Sequence, residues 1–170
     1  MLISDEYRSL NRDLHARATF GQRGARHADI AATLHAEHGG PVLDYGCGRA
    51  DLSRALAGLG IAVINYDPGR VEYDAPPQPC PVVVCTDVLE HVEPECLEAV
   101  LSHLAALTLA VAHFVIATKP DGRKKLADGR DPHLIVQPPE WWHDRLAAHF
   151  APREIARTHR DVTFRCCPRT

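Results

Sequence analysis

Between residues 25 and 167, short apolar runs alternate with amphipathic stretches. "ARHADIAATLHAEH" places Ile30 and Leu34 on one face and is closed by Gly39-Gly40, which predicts a helix. "PVLDY" reads as a short apolar strand, "ADLSRALAGLG" as a helix ended by glycine, and "IAVINY" as a second strand. "VVVCT" at 82–86 is a further strand. The clearest helix follows, with Pro94 in its first turn and Leu97, Val100, Leu101, Leu104 and Leu107 forming one stripe. "VAHFVIAT" is apolar at nearly every position, the pattern of a strand covered on both faces. After a polar excursion at 119–138, "PPEWWHDRLAAHF" predicts a helix and "REIARTHRDVTFRCC" two strands joined by a tight turn.

This alternation predicts an α/β fold with a mostly parallel sheet, helices on both sides and an antiparallel C-terminal edge strand. Between Asp67 and Pro81 there is little room for another helix and strand, so one βα unit is reduced there. The chain divides into one domain at 25–170 and a polar N-terminal segment at 1–24. That segment carries Tyr7, Arg8, Asn11, Arg12, His15 and Arg17 and can close over a site as a lid.

Composition narrows the setting. With 45% hydrophobic and 24% charged residues, 170 residues suffice for one globular core. A net charge of −3 gives no general attraction to nucleic acid or to an anionic membrane. Six cysteines without a C-x-x-C pair predict reduced thiols and a cytoplasmic protein. The N-terminus lacks the apolar core of a signal peptide, and "LAALTLAVAHFVIAT" is too short for a comfortable membrane span and is interrupted by His113. The expectation is a soluble protein with no membrane partner. Eleven histidines make any histidine site responsive to mildly acidic pH.

The chemistry concentrates in "VLDYGCGRADLSRAL", a strand, a glycine turn and a helix N-terminus. Glycines let backbone approach a ligand, and free helix N–H groups can donate to it. Dinucleotide-binding loops use G-x-G-x-x-G because a pyrophosphate sits against the turn. Here Asp51 occupies the third glycine position, where it would repel phosphate, and Asp44 stands ahead of the turn. These charges favour a cationic ligand, S-adenosylmethionine, over NAD. Asp67 ends the next strand, where a carboxylate can accept both ribose hydroxyls or can simply close a "DPG" turn.

"VLDYGCG" (42–48), "NYDP" (65–68) and "VCTDVLEHV" (84–92), in that order and spacing, resemble a small class I S-adenosylmethionine-dependent methyltransferase with a Rossmann-like sheet. The resemblance covers residues 25–167 and implies that Asp44, Gly46, Cys47, Gly48 and Asp67 line the cofactor site. It further implies that Cys85, Thr86, Asp87 and Val88 flank the methionine or adenine. Ala50 replaces a frequent glycine, and the short 67–81 segment leaves the adenine-contacting acid open, with Asp74 as a candidate.

"DVLEH" sets Asp87, Glu90 and His91 at i, i+3 and i+4, so that in a helical turn all three project to one side. Two carboxylates and an imidazole suit a divalent cation. The cluster is similar to the E-x-x-E-H motif of metal-dependent O-methyltransferases, among them small-RNA 2′-O-methyltransferases and ubiquinone-pathway enzymes. In the first group a further histidine follows the fifth strand, and His133 in "DGRDPHLIVQPPEWW" has a comparable place. The resemblance thus implies Asp87, Glu90, His91 and His133 as ligands of Mg²⁺ or Mn²⁺, which would bind an acceptor hydroxyl and lower its pKa. The same "VLEHV" also serves cofactor binding or helix-start hydrogen bonds in methyltransferases without metal. There His91 or His133 can act as general base.

The acceptor site falls to "KPDGRKKLADGRDPH", whose basic residues can hold a phosphate or carboxylate or form a solvated face. Of Trp141 and Trp142, adjacent in a helix, one can stack on an acceptor and at least one belongs to the core. The leading reading is O-methylation of a small molecule, sugar or nucleotide. A metal-independent N- or O-methyltransferase and a non-catalytic cofactor-binding subunit are the alternatives. An NAD-dependent reductase is disfavoured by Asp51 and by the lack of a Tyr-x-x-x-Lys pair. RNA as acceptor follows from the small-RNA resemblance, without a basic stripe to support a long nucleic acid.

Overall fold

The computed structural model describes residues 1–16 and 23–169, without the side chains of His15 and Ala16; Arg17 of the N-terminal segment lies outside the described residues. After helix α1 (Asp5–Ala16) and a 3-10 turn (Gly24–His27) come α2 (Ala28–His38), β1 (Val42–Tyr45), α3 (Asp51–Ala57), β2 (Val63–Tyr66) and β3 (Cys80–Thr86). Two 3-10 turns then lead into α4 (Leu97–Leu107), β4 (Thr108–Ala117), α5 (Pro139–Ala147), β5 (Phe150–Arg157) and β6 (Asp161–Pro168).

One six-stranded sheet has the order β2-β1-β3-β4-β6-β5. The first four strands run parallel, with Val42 opposite Val63 on one side and Val82 on the other. The C-terminal hairpin adds the antiparallel pair, Phe114 facing Phe164. This is the predicted α/β arrangement.

Alternate residues of the central strands enter two cores, which explains their continuous apolar runs. Val42, Val82, Val84 and Val111 pack under α2 and α3 with Leu34, Leu52 and Leu56. Leu43, Val83, Cys85 and Phe114 pack on the other face against Leu101 and Leu104 of α4 and Trp142 and Leu146 of α5. Trp142 is therefore the core member of the tryptophan pair, while Trp141 stays partly exposed beneath the Arg145 guanidinium. All six cysteines are free thiols.

One difference from the sequence reading has a simple cause, and one expectation is met. Strand β4 begins at Thr108, directly after α4, because the Thr108 hydroxyl donates to the Leu104 carbonyl (2.7 Å) and closes the helix there. Among the described residues no helix or strand lies between Tyr66 and Cys80. Asp67 N–H instead donates to the Tyr73 carbonyl (2.9 Å), folding that stretch into turns and leaving β2 as the sheet edge, as the short spacing predicts. No helix among the described residues is long and apolar enough to cross a membrane.

Candidate active site

In the sheet β1 and β3 are neighbours, and the chain leaves β1 for β2 on one side and β3 for β4 on the other. In open α/β sheets ligands occupy the crevice at the carboxyl ends of such strands. A cleft is found there, lined by Asp44, Gly46, Cys47, Gly48 and Asp67 from one side and Thr86, Asp87 and Val88 from the other. Cys85 is in the core and does not line it. Asp74 is exposed and also outside it.

The glycine loop has specific steric causes. Gly46 has φ +77°, and a Cβ there would lie 2.4 Å from the Val88 Cγ2. Its N–H and that of Cys47 donate to the Tyr66 carbonyl at 2.7 and 3.1 Å. Asp67 then joins two turns. One carboxylate oxygen accepts the Gly48 N–H (3.0 Å) and the other the Gly69 N–H (2.9 Å). Ala50, at φ 56°, is held left-handed immediately before α3.

Three carboxylates crowd this end of the cleft. Asp44 is 5% exposed, and among the described residues no group donates a hydrogen bond to it. Burial pushes its pKa up to about 7, with further contributions from Asp67 and Asp51. Asp67 is likewise raised by burial, against which the Gly69 and Gly48 N–H groups and Arg70 work. Asp51 is paired with Arg54. A carboxyl held in the cleft wall beside two others is best stabilised by a cation entering the cleft.

Past β3 the chain turns sharply. Asp87 has φ 55°, donates its N–H to the Val115 carbonyl (2.9 Å), and only then does the 3-10 turn Leu89–His91 begin. The i, i+3, i+4 geometry expected of a helical turn therefore does not hold for Asp87. Its carboxylate points to Arg23, 3.7 Å away. Glu90, His91 and His133 do converge, offering a carboxylate oxygen and two ring nitrogens within 4.8 Å of one another. The two rings meet edge to face, 4.8 Å between centroids.

The protonation pattern of this trio follows from its partners. His91 Nδ1 lies 2.8 Å from the Pro132 carbonyl and His133 Nδ1 lies 2.6 Å from the Lys119 carbonyl. A carbonyl only accepts, so each Nδ1 carries a proton, and in the neutral ring the lone pair sits on Nε2. Glu90 is fully buried, and one of its oxygens accepts the Ala117 N–H (3.2 Å). The other is buried without a partner among the described residues. Burial, and next the Asp87 charge, holds the Glu90 carboxyl well above its ordinary pKa.

The remaining walls come from segments that carry no motif. Tyr7 and Asn11 of α1, together with Glu93, Asp121 and Lys124, face the cleft. Glu93 accepts hydrogen bonds from the Ser4 N–H (2.8 Å) and hydroxyl (2.5 Å), anchoring the start of α1. Ile3, Tyr7 and Leu14 pack on Leu126 of the 119–138 excursion. That excursion is internally ordered: Asp131 accepts the N–H groups of Asp121, Gly122 and His133, and Asp121 those of Arg123 and Lys124. The sequence pointed to α1 and the excursion as regions but not to Glu93.

Comparison with known proteins bears on the fold. The chain resembles DhpI in its S-adenosylhomocysteine complex (23% identity, 96% of this chain and 93% of that chain covered, TM-score 0.60). It also resembles the Burkholderia thailandensis 1,6-didemethyltoxoflavin-N1-methyltransferase with bound 1,6-didemethyltoxoflavin and S-adenosylhomocysteine (20%, 96% and 89%, 0.65). Magnesium protoporphyrin IX methyltransferase from Synechocystis is similar as well (21%, 85% and 83%, 0.61). These likenesses establish the class I methyltransferase fold. No curated protein matches the chain. The family model described as a methyltransferase domain matches residues 12–160. The glycine loop, both strand-end acids and the histidine pair all fall within that match, and the chain belongs to the methyltransferase domain family.

Proposed function

We propose that the protein transfers a methyl group from S-adenosylmethionine to a hydroxyl oxygen of a small molecule, sugar or nucleotide. The observation that carries this reading is Asp44, a buried carboxyl without a donor, aimed into a cleft that also holds His91 and His133. When bound, the cofactor supplies a sulfonium-activated methyl group. Asp44 would accept from its cationic amino-acid portion, and Gly46 and Gly48 would let the backbone approach it. Asp67 retains lone pairs beyond its two backbone contacts for ribose hydroxyls. The Nε2 lone pair of His133 or His91 can take the acceptor's proton as the oxygen attacks. Helix α1, pinned by Glu93, would act as the lid that excludes water and aligns the acceptor, and alignment contributes much to this reaction.

A metal-assisted version is favoured by one further observation, the partnerless buried oxygen of Glu90 beside two histidines whose Nδ1 atoms are both fixed by carbonyls. Glu90, His91 and His133 would hold a divalent cation such as Mn²⁺ or Mg²⁺, with Asp87 an added ligand only if it left Arg23. A cation so placed would lower the pKa of an acceptor hydroxyl. Nitrogen is the other acceptor atom to test, since one structural neighbour is named as an N1-methyltransferase. The free thiols suit a reducing compartment such as the cytoplasm.

The test is methyl transfer from labelled S-adenosylmethionine into metabolite and nucleic-acid extracts, with and without chelator. Label in a product that disappears with His133→Ala supports the reading. Tight cofactor binding with no labelled product from any extract would favour a non-catalytic subunit instead.

A further inference from the structure

The acids and histidines leave part of the cleft wall unused, and that part is apolar. Leu2, Val88, Val92 and Val100 all line the cleft, and all pack on the core that the sheet shares with α4 and α5. Tyr45 lines it too, its ring 5.0 Å from that of Tyr66, the residue immediately before Asp67. The Tyr45 hydroxyl lies 3.0 Å from Nδ1 of His103, one helical turn beyond Val100 on α4. The apolar wall thus runs from the Asp67 turn toward α4. His133 and Asp121 belong instead to the segment after β4, and β1 and β3 stand between β4 and β2 in the sheet.

One carboxylate interrupts this wall. Glu93 follows Val92 directly, is buried and lines the cleft. Its Oε2 accepts the Ser4 N–H (2.8 Å) and lies 3.9 Å from the Cys96 Sγ, whereas among the described residues its Oε1 accepts only the Ser4 hydroxyl (2.5 Å). Oε1 therefore keeps a lone pair for a further donor. The same two bonds to Ser4 hold the preceding Leu2 and Ile3 at the cleft. Between Asp67 and Cys80 only Pro68 and Gly69 reach the cleft, so the N-terminal residues add apolar surface that this stretch does not bring to it.

We infer that this slot takes the adenine ring of the cofactor, with Leu2, Val92 and Val100 packing on the ring and Glu93 accepting from its exocyclic amine. The inference rests on the cofactor reading above, which puts the ribose at Asp67 and hence the base beside it. An uncharged aromatic ring suits apolar walls, and a buried acceptor rejects a ring that lacks the matching donor.

The test is calorimetry of S-adenosylhomocysteine and of its deaminated analogue, S-inosylhomocysteine, with wild type, Glu93→Gln, Ser4→Ala and Leu2→Ser. Wild type should prefer the amine at least about tenfold; a smaller preference overturns the assignment without any variant. Glu93→Gln should bring that ratio close to one. Ser4→Ala loosens the N-terminal anchor and leaves the carboxylate, so it should weaken both ligands and keep the ratio. A ratio that Glu93→Gln leaves intact, or that Ser4→Ala abolishes equally, makes Glu93 an anchor for the N-terminal residues and overturns its role in base recognition. Leu2→Ser should weaken both ligands at least about threefold, and unchanged affinities overturn the apolar slot. Wild type that binds neither ligand overturns the cofactor reading and the slot with it, whereas binding indifferent to these variants overturns the slot alone.

Discussion

Replacing Asp44 with Asn separates what the residue does for folding from what it does for the ligand. Its pKa is about 7 in the folded protein against an ordinary 3.8, a difference of about three units. The folded state therefore binds its proton more tightly, and stability from this group is complete below the ordinary value and lost as pH rises toward 7. Three units correspond to at most about 4 kcal/mol opposing the fold once Asp44 is ionised. Asn keeps the shape without the charge. At about pH 8, Asp44→Asn should stabilise the ligand-free protein by about 2–4 kcal/mol, several degrees in Tm. At about pH 5, still above the ordinary value, the difference should shrink to about 1–2 kcal/mol, and only near pH 3 should it vanish. Cofactor binding should move the opposite way. Wild-type affinity should fall about tenfold per pH unit below the Asp44 pKa, since the proton must leave before a cation is held. In the variant it should be weaker and free of that slope. Denaturant melts and calorimetry at the two pH values read both effects. Equal destabilisation at both would refute the argument and make Asp44 an ordinary structural acceptor.

Other substitutions probe neighbouring links. Asp67→Ala removes the acceptor for two backbone N–H groups and for ribose, so S-adenosylmethionine affinity by calorimetry should drop at least about tenfold; unchanged affinity would remove the ribose assignment. Gly46→Ala should destabilise by about 2–4 kcal/mol in chemical denaturation, from the left-handed backbone and the overlap with Val88. Adding Val88→Ala should recover at least about 1 kcal/mol, and strict additivity would show that the overlap is not the cause. Mn²⁺ should bind the wild type in a calorimetric titration and be lost in both Glu90→Gln and His133→Ala; binding that survives either change places the cation elsewhere.

Much of this was legible in the sequence because the central strands are buried on both faces. Val82-Val83-Val84-Cys85 feeds alternate residues to two cores, so an unbroken apolar run was an accurate sign of a strand. The short stretch from Asp67 to Pro81 likewise fixed the missing unit by length alone. Local periodicity failed at Asp87, where reading i, i+3 and i+4 as one helical face assumed right-handed backbone. The chain is left-handed there and turns the carboxylate toward Arg23.

Contacts between distant segments were harder to see. His133 meets His91 across 42 positions, and only a family resemblance connected them. The Glu93–Ser4 anchor spans 89 positions and left no motif at either end. The sequence displayed Gly46 but not its reason, which is the Val88 side chain from the loop after β3.

The central claim is that the cleft between Asp44 and Asp67 is built for a sulfonium cofactor. Titration of S-adenosylmethionine into the wild-type protein, followed by calorimetry with NAD run in parallel, tests it most directly. The account predicts saturable one-to-one binding of S-adenosylmethionine and no heat from NAD. Saturable binding of NAD with none of S-adenosylmethionine would contradict it.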